Sequence, residues 1–449
     1  MGTVRALEPN TALERLYRES GWSMRQLAQE VNRIGTERGT PLKYQQPSVS
    51  QWLKGQLPKE ATRPIILEAF ARRLLRPITH AEAGFPAPPK ESNAHPGTVE
   101  GLIDLGRHDV DPSRRSVVGA TLFSVALTVP NWPDVVGRME AAQTGKTQRI
   151  GMAEVQMVIA MTERVSELDD QFGGRHARPM AAAFLLNTVA PYLKADAPEE
   201  VRKAMMSAAS DLCYLTGYMA VDEGVHGLAQ QYYLKALELA GASEDHLTYC
   251  TTLRGMSVQA VDLGHGKAAM RLANAAAAAS PKAGPRMRAF LAGQQAHASA
   301  KVGDRTNALT YLREAEVAME KAESQATTFG SYNPSSLTYH AGQVRYELGD
   351  IRGSIEALHE SDRLRHHSFK RNRIRYLSML AERQLKLGHL ENACETWIKA
   401  VEIYPQVQSG QCDQSISKMH AHIRPYLKNQ AARSLYERAR LVAPASVTA

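Results

Sequence analysis

Cysteine is scarce in this chain, with four among 449 residues. The four stand far apart, at Cys213, Cys250, Cys394 and Cys412, and none belongs to a Cys-x-x-Cys pair. This spacing argues against a disulfide-stapled fold or a zinc ribbon, and we expect a reducing compartment. Because Cys213 and Cys250 lie in apolar helical stretches, we expect both thiols to be buried and unreactive.

Long apolar runs are also missing. The longest, Val117 to Pro130, has about 14 residues, fewer than the ~18 to 20 that a membrane-spanning helix requires. The basic pair Arg114 and Arg115 precedes it, but lies inside the chain, and the chain start lacks the layout of a secretory signal. We expect no membrane partner and a cytoplasmic location.

Familiar catalytic motifs are absent as well. The chain contains no Gly-rich phosphate loop, no His-Glu-x-x-His and no Gly-x-Ser-x-Gly. His420 and His422 are two residues apart, which places them on different faces of a helix. We therefore expect neither an enzyme nor a cofactor nor a metal site.

What is present is a long, alanine-rich chain with a basic start. Its length exceeds what a single core of about 250 to 300 residues accommodates, so we expect several domains. Aromatic residues are only 6% of the total, and the many alanines favour an all-α fold. The net charge is +8, and residues 1–80, with thirteen basic and seven acidic side chains, account for +6 of it.

Proline marks the first division of the chain. The stretch Phe85 to Pro96 holds four prolines and has no helical apolar period, which is typical of a stiff linker. We therefore assign residues 1–84 to a first domain, 85–112 to a linker, 113–180 to connecting helices and 181–445 to a second domain. Residues 113–148 are expected to contain a buried helix that packs between the domains.

Short helices are predicted in the first domain. One covers Thr11 to Ser20, and a second begins after Ser23 as N-cap. A third covers Pro47 to Lys54, with proline in its first turn and Gly55 at its end. A fourth follows Pro64.

The second domain contains an internal repeat of the form small-x-x-x-large-x-x-small. Small residues let the two helices of a hairpin approach closely, and the large one fills the gap to the next hairpin. A glycine expected to form a turn precedes each of the first five copies, as Gly224, Gly264, Gly303, Gly349 and Gly388. The pattern resembles the tetratricopeptide repeat and implies an α-solenoid. The copies are Ala229/Tyr233/Ala236, Ala268/Leu272/Ala275, Ala308/Leu312/Ala315, Ser354/Leu358/Ser361, Ala393/Trp397/Ala400 and Ala432/Tyr436/Ala439.

The first domain resembles the helix-turn-helix of phage repressor and Cro proteins. The resemblance rests on Ser23 to Ala28 followed by Gln46 to Gly55, which includes Trp-Leu-Lys-Gly. It implies that the helix from Gln46 lies in the major groove of double-stranded DNA and reads bases with its first turns. The expected DNA contacts are Arg25, Lys43, Tyr44, Gln46, Ser48, Ser50, Gln51, Lys54 and Lys59.

The sequence departs from the compact form of this motif. Eighteen residues separate Ala28 from Gln46, where compact members have about seven. The added segment from Arg33 to Tyr44 is either an extended helix with a basic wing on the DNA backbone or a solvated loop.

The first helices of the hairpins are expected to line the concave surface of the solenoid. The residues that the repeat phase turns inward mix aromatic, charged and amide side chains, which suits a small polar ligand or a short peptide. The alternative is a docking surface for a protein partner. The inward positions are Tyr214, Tyr218, Asp222, Ser257, His297, Tyr339, Gln343, Arg375 and Glu382.

Nearly the whole chain resembles the helix-turn-helix plus tetratricopeptide regulators of actinomycetes. Gly217 to Gly224, Ala229 to Tyr233 and Met256 to Ala260, behind the Trp-Leu-x-Gly segment, are the phrases that carry the resemblance. It implies a nucleoid-associated transcriptional regulator, often of secondary metabolism or development, that senses a ligand. A homodimer is expected because two half-sites a helical turn apart must be read together.

Overall fold

The structure of the protein is a computed structural model that describes residues 9–37, 42–74, 76, 78–86, 97–110, 149–279, 283–322, 332–364, 369–444 and 447. All regular structure in these ranges is helical, and the only β contact among them is one isolated bridge between Arg149 and Asp196. The all-α prediction is confirmed.

Four helices form the N-terminal domain: α1 (Thr11–Ser20), α2 (Met24–Glu37), α3 (Gln46–Leu53) and α4 (Arg63–Leu74). Each predicted helix is present, and side-chain capping explains where α1 and α2 begin. The Asn10 side chain accepts a hydrogen bond from the Leu13 backbone N–H at 2.9 Å. Ser23 and Gln26 bond each other's backbone N–H groups, a reciprocal capping box that confirms Ser23 as N-cap.

The four helices share one apolar core. Phe85, only 4% exposed, packs into it, so this core extends one residue past the boundary expected at 84. The prolines that mark the linker follow directly, which is why the sequence pattern placed the break too early. The buried members of the core are Leu13, Leu16, Leu27, Ala28, Val31, Ile34, Val49, Trp52, Ile65, Ile66, Leu67, Ala69, Phe70, Ala71, Ile78, Ala83 and Phe85.

The stretch expected as a linker contains a helix, α5 (Thr98–Val110). Its apolar side chains Leu102 and Leu105 are buried against the second domain, so residues 97–110 belong structurally to that domain. The sequence analysis missed α5 because the prolines before it dominate the pattern. The predicted buried helix at 113–148, with its apolar run, lies outside the described residues.

The second domain begins with two long helical segments. The first is α6 (Met152–Phe172), and the second consists of α7 (Gly174–Phe184), a π-helical turn (Leu185–Val189) and α8 (Ala190–Leu193). Pro179 lies within α7. For this region the sequence predicted connecting helices up to residue 180, without their individual bounds.

Six helical hairpins follow, as the repeat predicts. Their helices are α9 (Glu199–Asp222) with α10 (His226–Ala242), α11 (His246–Asp262) with α12 (Gly266–Ala278), α13 (Pro285–Lys301) with α14 (Arg305–Glu320), α15 (Pro334–Glu347) with α16 (Ile351–Arg363), α17 (Lys370–Lys386) with α18 (Leu390–Ile403), and α19 (Gly410–Ile423) with α20 (Gln430–Val442). The five predicted turn glycines all have positive φ, between 79° and 86°. Consecutive hairpins pack side by side into a tetratricopeptide-like solenoid.

Small residues let the paired helices approach, as expected. A Cβ added to Gly217 in α9 would lie 2.9 Å from the ring of Tyr233 in α10. The predicted triads are buried in the first, third, fourth and fifth hairpins. The second copy is shifted by one residue, because Ala275 is exposed while Ala276 is buried.

The solenoid closes on itself. The backbone N–H of Gln408, between α18 and α19, donates to the carbonyl of Phe172 at 2.6 Å, and Arg175 N–H donates to the Gln408 carbonyl at 3.2 Å. Helix α17 also packs against α6. The start of the array therefore meets its end, and the first helices of the hairpins surround an interior.

No helix in the described part of the chain combines the length and the apolar character needed to cross a membrane. The thiols of Cys213, Cys250, Cys394 and Cys412 are all free and buried. Burial raises the pKa of Cys213 and raises that of Cys412 to about 12, so these two thiols stay protonated. The expected burial of Cys213 and Cys250 is confirmed.

The turn glycines provide a test of the repeat geometry. Gly303 has φ +80° and Gly284 has φ −66°, and a Cβ at either position would meet nothing within 4 Å. We expect Gly303→Ala to lower the free energy of unfolding by about 1 kcal/mol through backbone strain alone. Gly284→Ala, the matched control, should leave it unchanged or slightly raised. Equal urea midpoints for the two variants would contradict this turn geometry.

Candidate functional site

Helix α3 presents the polar face that the sequence predicts. Gln46 and Gln51 are exposed, and Ser48 and Ser50 are half-buried. Val49 and Trp52 face the core, at 0% and 5% exposure. The apolar side of α3 therefore packs against the domain core, and its opposite side presents amide and hydroxyl groups.

Four cations surround this face, at Arg25, Lys43, Lys54 and Lys59, and all four are exposed. Within the described residues none of them forms an ion pair, whereas Arg76 of the same domain bonds Glu82 and Glu19. A positive charge without an acidic neighbour remains available to an external anion such as a phosphate.

Tyr44 is placed differently from the prediction. Its hydroxyl lies 3.0 Å from the Thr62 hydroxyl, and its ring meets Trp52 edge-on at 5.0 Å. Its backbone N–H and carbonyl are both held by the Asn32 side chain at 2.8 Å. Tyr44 therefore anchors the base of α3, and its phenol is already hydrogen-bonded, which argues against the expected role in DNA contact.

Of the two interpretations of the Arg33 to Tyr44 segment, the structure supports the extended helix for its first part. Helix α2 continues to Glu37. The tip of the segment, residues 38–41, lies outside the described residues, so the basic wing is not tested.

The interior of the closed array brings several predicted ligand residues together. The rings of Tyr214 and Tyr218 stack at 6.5 Å on α9. On α15, the Gln343 amide lies 3.3 Å from the Tyr339 hydroxyl. Arg375 of α17 reaches across the interior toward Asp262 of α11, with the charged atoms 3.8 Å apart.

Two predicted ligand residues serve the scaffold instead. The Ser257 hydroxyl is fully buried, donates to the Ala269 carbonyl at 2.8 Å and accepts from Gln294 at 3.0 Å. Asp222 accepts a hydrogen bond from Ser409 at 2.7 Å and from the Gly174 backbone N–H at 3.2 Å. These residues lie where the start of the array meets its end, a region that we call the seam. Helical phase alone could not show that these two positions face neighbouring helices rather than the interior.

The remaining two positions differ in burial. His297 is 7% exposed, and its ring lies 6.3 Å from that of His340. Glu382 is half-buried on α17 and forms no ion pair among the described residues.

Several interior residues were missed by the sequence analysis, chief among them Arg254, His340, Arg371 and Arg383. Arg371 lies one helical turn before the predicted Arg375, so extending the inward stripe by four residues would have found it. Arg254 lies ten residues before Gly264, as Tyr214 and Tyr339 lie ten before Gly224 and Gly349, so aligning the copies on their turn glycines would have found it. Arg383 lies only five residues before Gly388, outside this phase, and no local signal marks it.

His340 is held in one protonation state by its neighbours. Arg254 can only donate, and its guanidinium lies 3.3 Å from His340 Nε2, so that nitrogen accepts. The proton then sits on Nδ1, which is 2.7 Å from the Tyr332 hydroxyl. Burial, followed by the charge of Arg254, lowers the pKa of His340 well below its usual value, in agreement with a neutral ring.

A buried ion pair holds the seam. Arg371 is 1% exposed, and its guanidinium lies 2.8 Å from Asp169 of α6 and 3.6 Å from Asp222 of α9. It also covers the Tyr218 ring at 5.0 Å. One cation thus binds two acidic groups from separate helices and contacts an aromatic residue of the interior.

A second buried network docks α5 on the array. Asp109 of α5 bonds Arg178 of α7 and accepts from the Tyr232 hydroxyl at 2.8 Å. Arg178 also binds Glu223 at 2.5 Å, at the end of α9 beside Asp222. Burial acts to lower the pKa of Arg178, but its bonds to Glu223 and Asp109 raise it overall, so it stays charged.

A groove of about 690 Å³ lies elsewhere, where α12, α13 and α14 meet. Its lining includes Leu291, Gln295 and Val317 and none of the predicted inward residues. We base the candidate ligand site on the interior rather than on this groove, because the interior concentrates buried charged and aromatic groups.

The comparisons with known proteins cover parts of this architecture. Residues 13–86 match the family described as the SP15 N-terminal domain. The matched residues include the four-helix core with Phe85. No curated protein sequence matches the chain. A solved structure of Podospora anserina, described as a kinesin light chain with nearly identical TPR-like repeats, shares 16% identity over 44% of this chain and 96% of its own, with a TM-score of 0.32. That likeness is too weak to bear on function.

The seam is expected to be sensitive to pH through Asp169. Burial raises the pKa of this carboxyl to about 7, although Arg371 acts to lower it. The folded state therefore binds this proton more tightly than the unfolded chain, where an aspartate titrates near 4. The contribution of Asp169 to the free energy of unfolding falls as pH rises from about 4 to about 7 and is level above that.

Urea midpoints of the wild type and Asp169→Asn at pH 5 and pH 8 test this sign. The asparagine variant should lose less stability between the two pH values than the wild type does. An equal loss in both proteins would show that Asp169 does not titrate in this window.

The docking of α5 has a matched test on one helix. Asp109 is buried in the network with Arg178, while Asp104 of the same helix is 57% exposed. Removing one partner of a buried pair costs about 3 to 5 kcal/mol, so Asp109→Ala should accelerate hydrogen exchange across residues 98–110. Asp104→Ala should leave exchange unchanged. Equal exchange in the two variants would contradict the docking role.

Proposed function

We propose that this protein is a sequence-specific DNA-binding regulator of transcription whose closed repeat domain senses a small ligand or short peptide. The observation that supports DNA binding most is α3, which buries Val49 and Trp52 and exposes Gln46 and Gln51 beside unpaired cations. An amide side chain offers a donor and an acceptor together, as adenine requires in the major groove. The lysines supply contacts to the DNA backbone that do not depend on sequence.

The repeat domain supports a sensing role through its interior. Tyrosine, arginine, histidine and carboxylate side chains of five different first helices meet there, and Tyr214, His297 and His340 among them are buried. A ligand shifts the protein only if it binds two arrangements unequally. Helix α5, the described element that follows the N-terminal domain in the chain, docks beside the seam and is the connection through which such a shift would reach that domain.

A homodimer is part of the proposal, because a reader with one short helix gains specificity by meeting two half-sites about 34 Å apart. Genes of secondary metabolism or development are the proposed targets, in keeping with the regulators that the sequence resembles. A cytoplasmic, nucleoid-associated location follows from DNA binding.

The second candidate keeps DNA binding but makes the repeats a docking surface for a protein. The groove among α12, α13 and α14 favours it, because exposed apolar side chains such as Leu309 and Val317 lie on α14. Thermal unfolding of the full chain in culture extract separates the two. A stabilising component that passes a dialysis membrane favours a small ligand, and a retained one favours a protein.

Base reading is tested by selecting binding sites for the full chain from random DNA. The double variant Gln46→Ala, Gln51→Ala should lose at least about thirtyfold of its preference for the selected site over scrambled DNA, because it removes two bidentate amide contacts worth about 1 to 3 kcal/mol each. Gln56→Ala, an exposed glutamine just past α3, is the matched control and should bind as the wild type does. Failure of the wild type to enrich any site would refute the proposal.

Lys43→Ala separates affinity from specificity. It should weaken binding to all DNA sequences alike and reduce the slope of affinity against salt concentration by about one. A loss confined to the selected site would instead place Lys43 at a base edge and contradict the assignment to the DNA backbone.

A further inference from the structure

Two guanidinium groups in the interior have no carboxylate partner among the described residues, Arg254 of α11 and Arg383 of α17. The Arg254 cation lies over the Phe290 ring at 4.3 Å, and its Nε atom is buried without a hydrogen-bond acceptor. Arg383 is only 3% exposed, bonds the Gln343 amide and lies over the Tyr346 ring at 4.5 Å. Its Nη1 atom is also buried without an acceptor.

This arrangement is energetically costly. A buried charge without a counter-ion loses hydration that an aromatic face replaces only in part. Burial lowers the pKa of Arg383, which is the direction expected for a cation held without an anion. The scaffold does not need such a charge, because an apolar side chain of similar length would pack against Tyr346 at lower cost.

Three neighbouring cations of the first helices, by contrast, have carboxylate partners among the described residues. Arg375 faces Asp262 at 3.8 Å, Lys301 binds Glu347 at 2.8 Å and Arg371 binds Asp169 at 2.8 Å. Glu382 is next to Arg383 in the chain, but their charged groups form no ion pair.

Contacts around His340 bring the two cations to one part of the interior. Arg254 lies 3.3 Å from His340 Nε2, and the rings of Tyr339 and His297 lie 5.8 Å and 6.3 Å from that of His340. Arg383 reaches the same group through Gln343, whose amide bonds Tyr339 at 3.3 Å. The pKa of His297 is lowered to about 3, first by burial and then by the positive charges of Lys301, Arg254 and Arg383. The ring of His297 is therefore neutral at physiological pH.

We propose that the interior of the closed array binds the oxyanion group of a small molecule between Arg254 and Arg383, beside His297. The free Nε and Nη1 hydrogens are donors for its oxygens, and charge-assisted bonds of this kind are the strong ones. The rings of Phe290 and Tyr346 flank the two cations and offer apolar surface to the rest of the molecule. This inference rests on the proposed ligand-sensing role and names the chemistry that the ligand carries.

The experiment measures thermal unfolding and calorimetric binding of the full chain without DNA. Inorganic phosphate and acetate are the probes, compared with chloride at equal ionic strength. Arg254→Met and Arg383→Met remove the two cations, and Arg164→Met, which changes a side chain 74% exposed on α6, is the matched control. The two interior variants lie on different helices, so a folding failure in one leaves the other to decide.

The proposal expects at least one of the two anions to raise the unfolding midpoint of the wild type and the control. Both interior variants should lose this rise, with about tenfold to a hundredfold weaker binding. In chloride their midpoints should equal or exceed that of the wild type, since a costly unpaired charge is gone. A response to phosphate alone assigns a phosphoryl group, and a response to acetate assigns a carboxylate.

Three results would overturn the proposal. The first is an equal rise in all four proteins, which is a general salt effect. The second is no rise in the wild type with either anion. The third is a lower midpoint in chloride for both interior variants, which would make the two cations structural. None of these results depends on DNA binding, so they are distinguishable from failure of α3 to read a site.

Discussion

The contact between Arg371 and the acidic groups of α6 and α9 is the constraint on which the second domain depends. It acts together with the backbone hydrogen bonds that join Gln408 to Phe172 and Arg175, and these contacts close an array whose hairpins otherwise contact mainly their neighbours. The seam encloses one cation with two carboxyl groups from separate helices, Asp169 and Asp222, at 2.8 Å and 3.6 Å. Removing one member of a buried pair costs about 3 to 5 kcal/mol, so closure depends on these particular side chains. A proton on Asp169 does not oppose closure, because burial raises the pKa of this carboxyl to about 7.

The seam also lies between the interior and the helix that leads toward the N-terminal domain. Arg371 covers Tyr218 on the interior side, and Asp222 is followed by Glu223, which binds Arg178 and through it Asp109 of α5. A ligand that moved Tyr218 would therefore disturb groups directly bonded to the docking site of α5. This chain of bonded side chains is a physical route by which ligand binding in the interior could be coupled to α5. Such coupling requires that the seam has two arrangements and that the ligand binds them with different affinity.

Local signals in the sequence predicted the local features well. Ser23, Pro47 and Gly55 placed the helices of the first domain, and glycines such as Gly303 placed the turns, because each acts on its own backbone. The sequence patterns predicted neither the closure of the repeat array nor helix α5. Both depend on contacts between residues far apart in the chain, such as Asp109 with Arg178. Phase placed Ser257 and Asp222 on the inward stripe, but it could not tell a face toward the interior from one against the next helix. Arg254 shares the repeat phase of Tyr214 and could have been found, whereas Arg383 had no signal because its importance lies in the absence of a carboxylate partner.

In the proposed function, α3 reads DNA and is coupled to the closed array through one seam. The most direct measurement is the DNA affinity and selectivity of Arg371→Met, in full chains shown by circular dichroism to remain helical. Residue 371 lies in the seam and not in the N-terminal domain. The account predicts altered affinity for the selected site with an unchanged α3. Affinity and selectivity equal to those of the wild type would contradict coupling between the array and the DNA-reading domain.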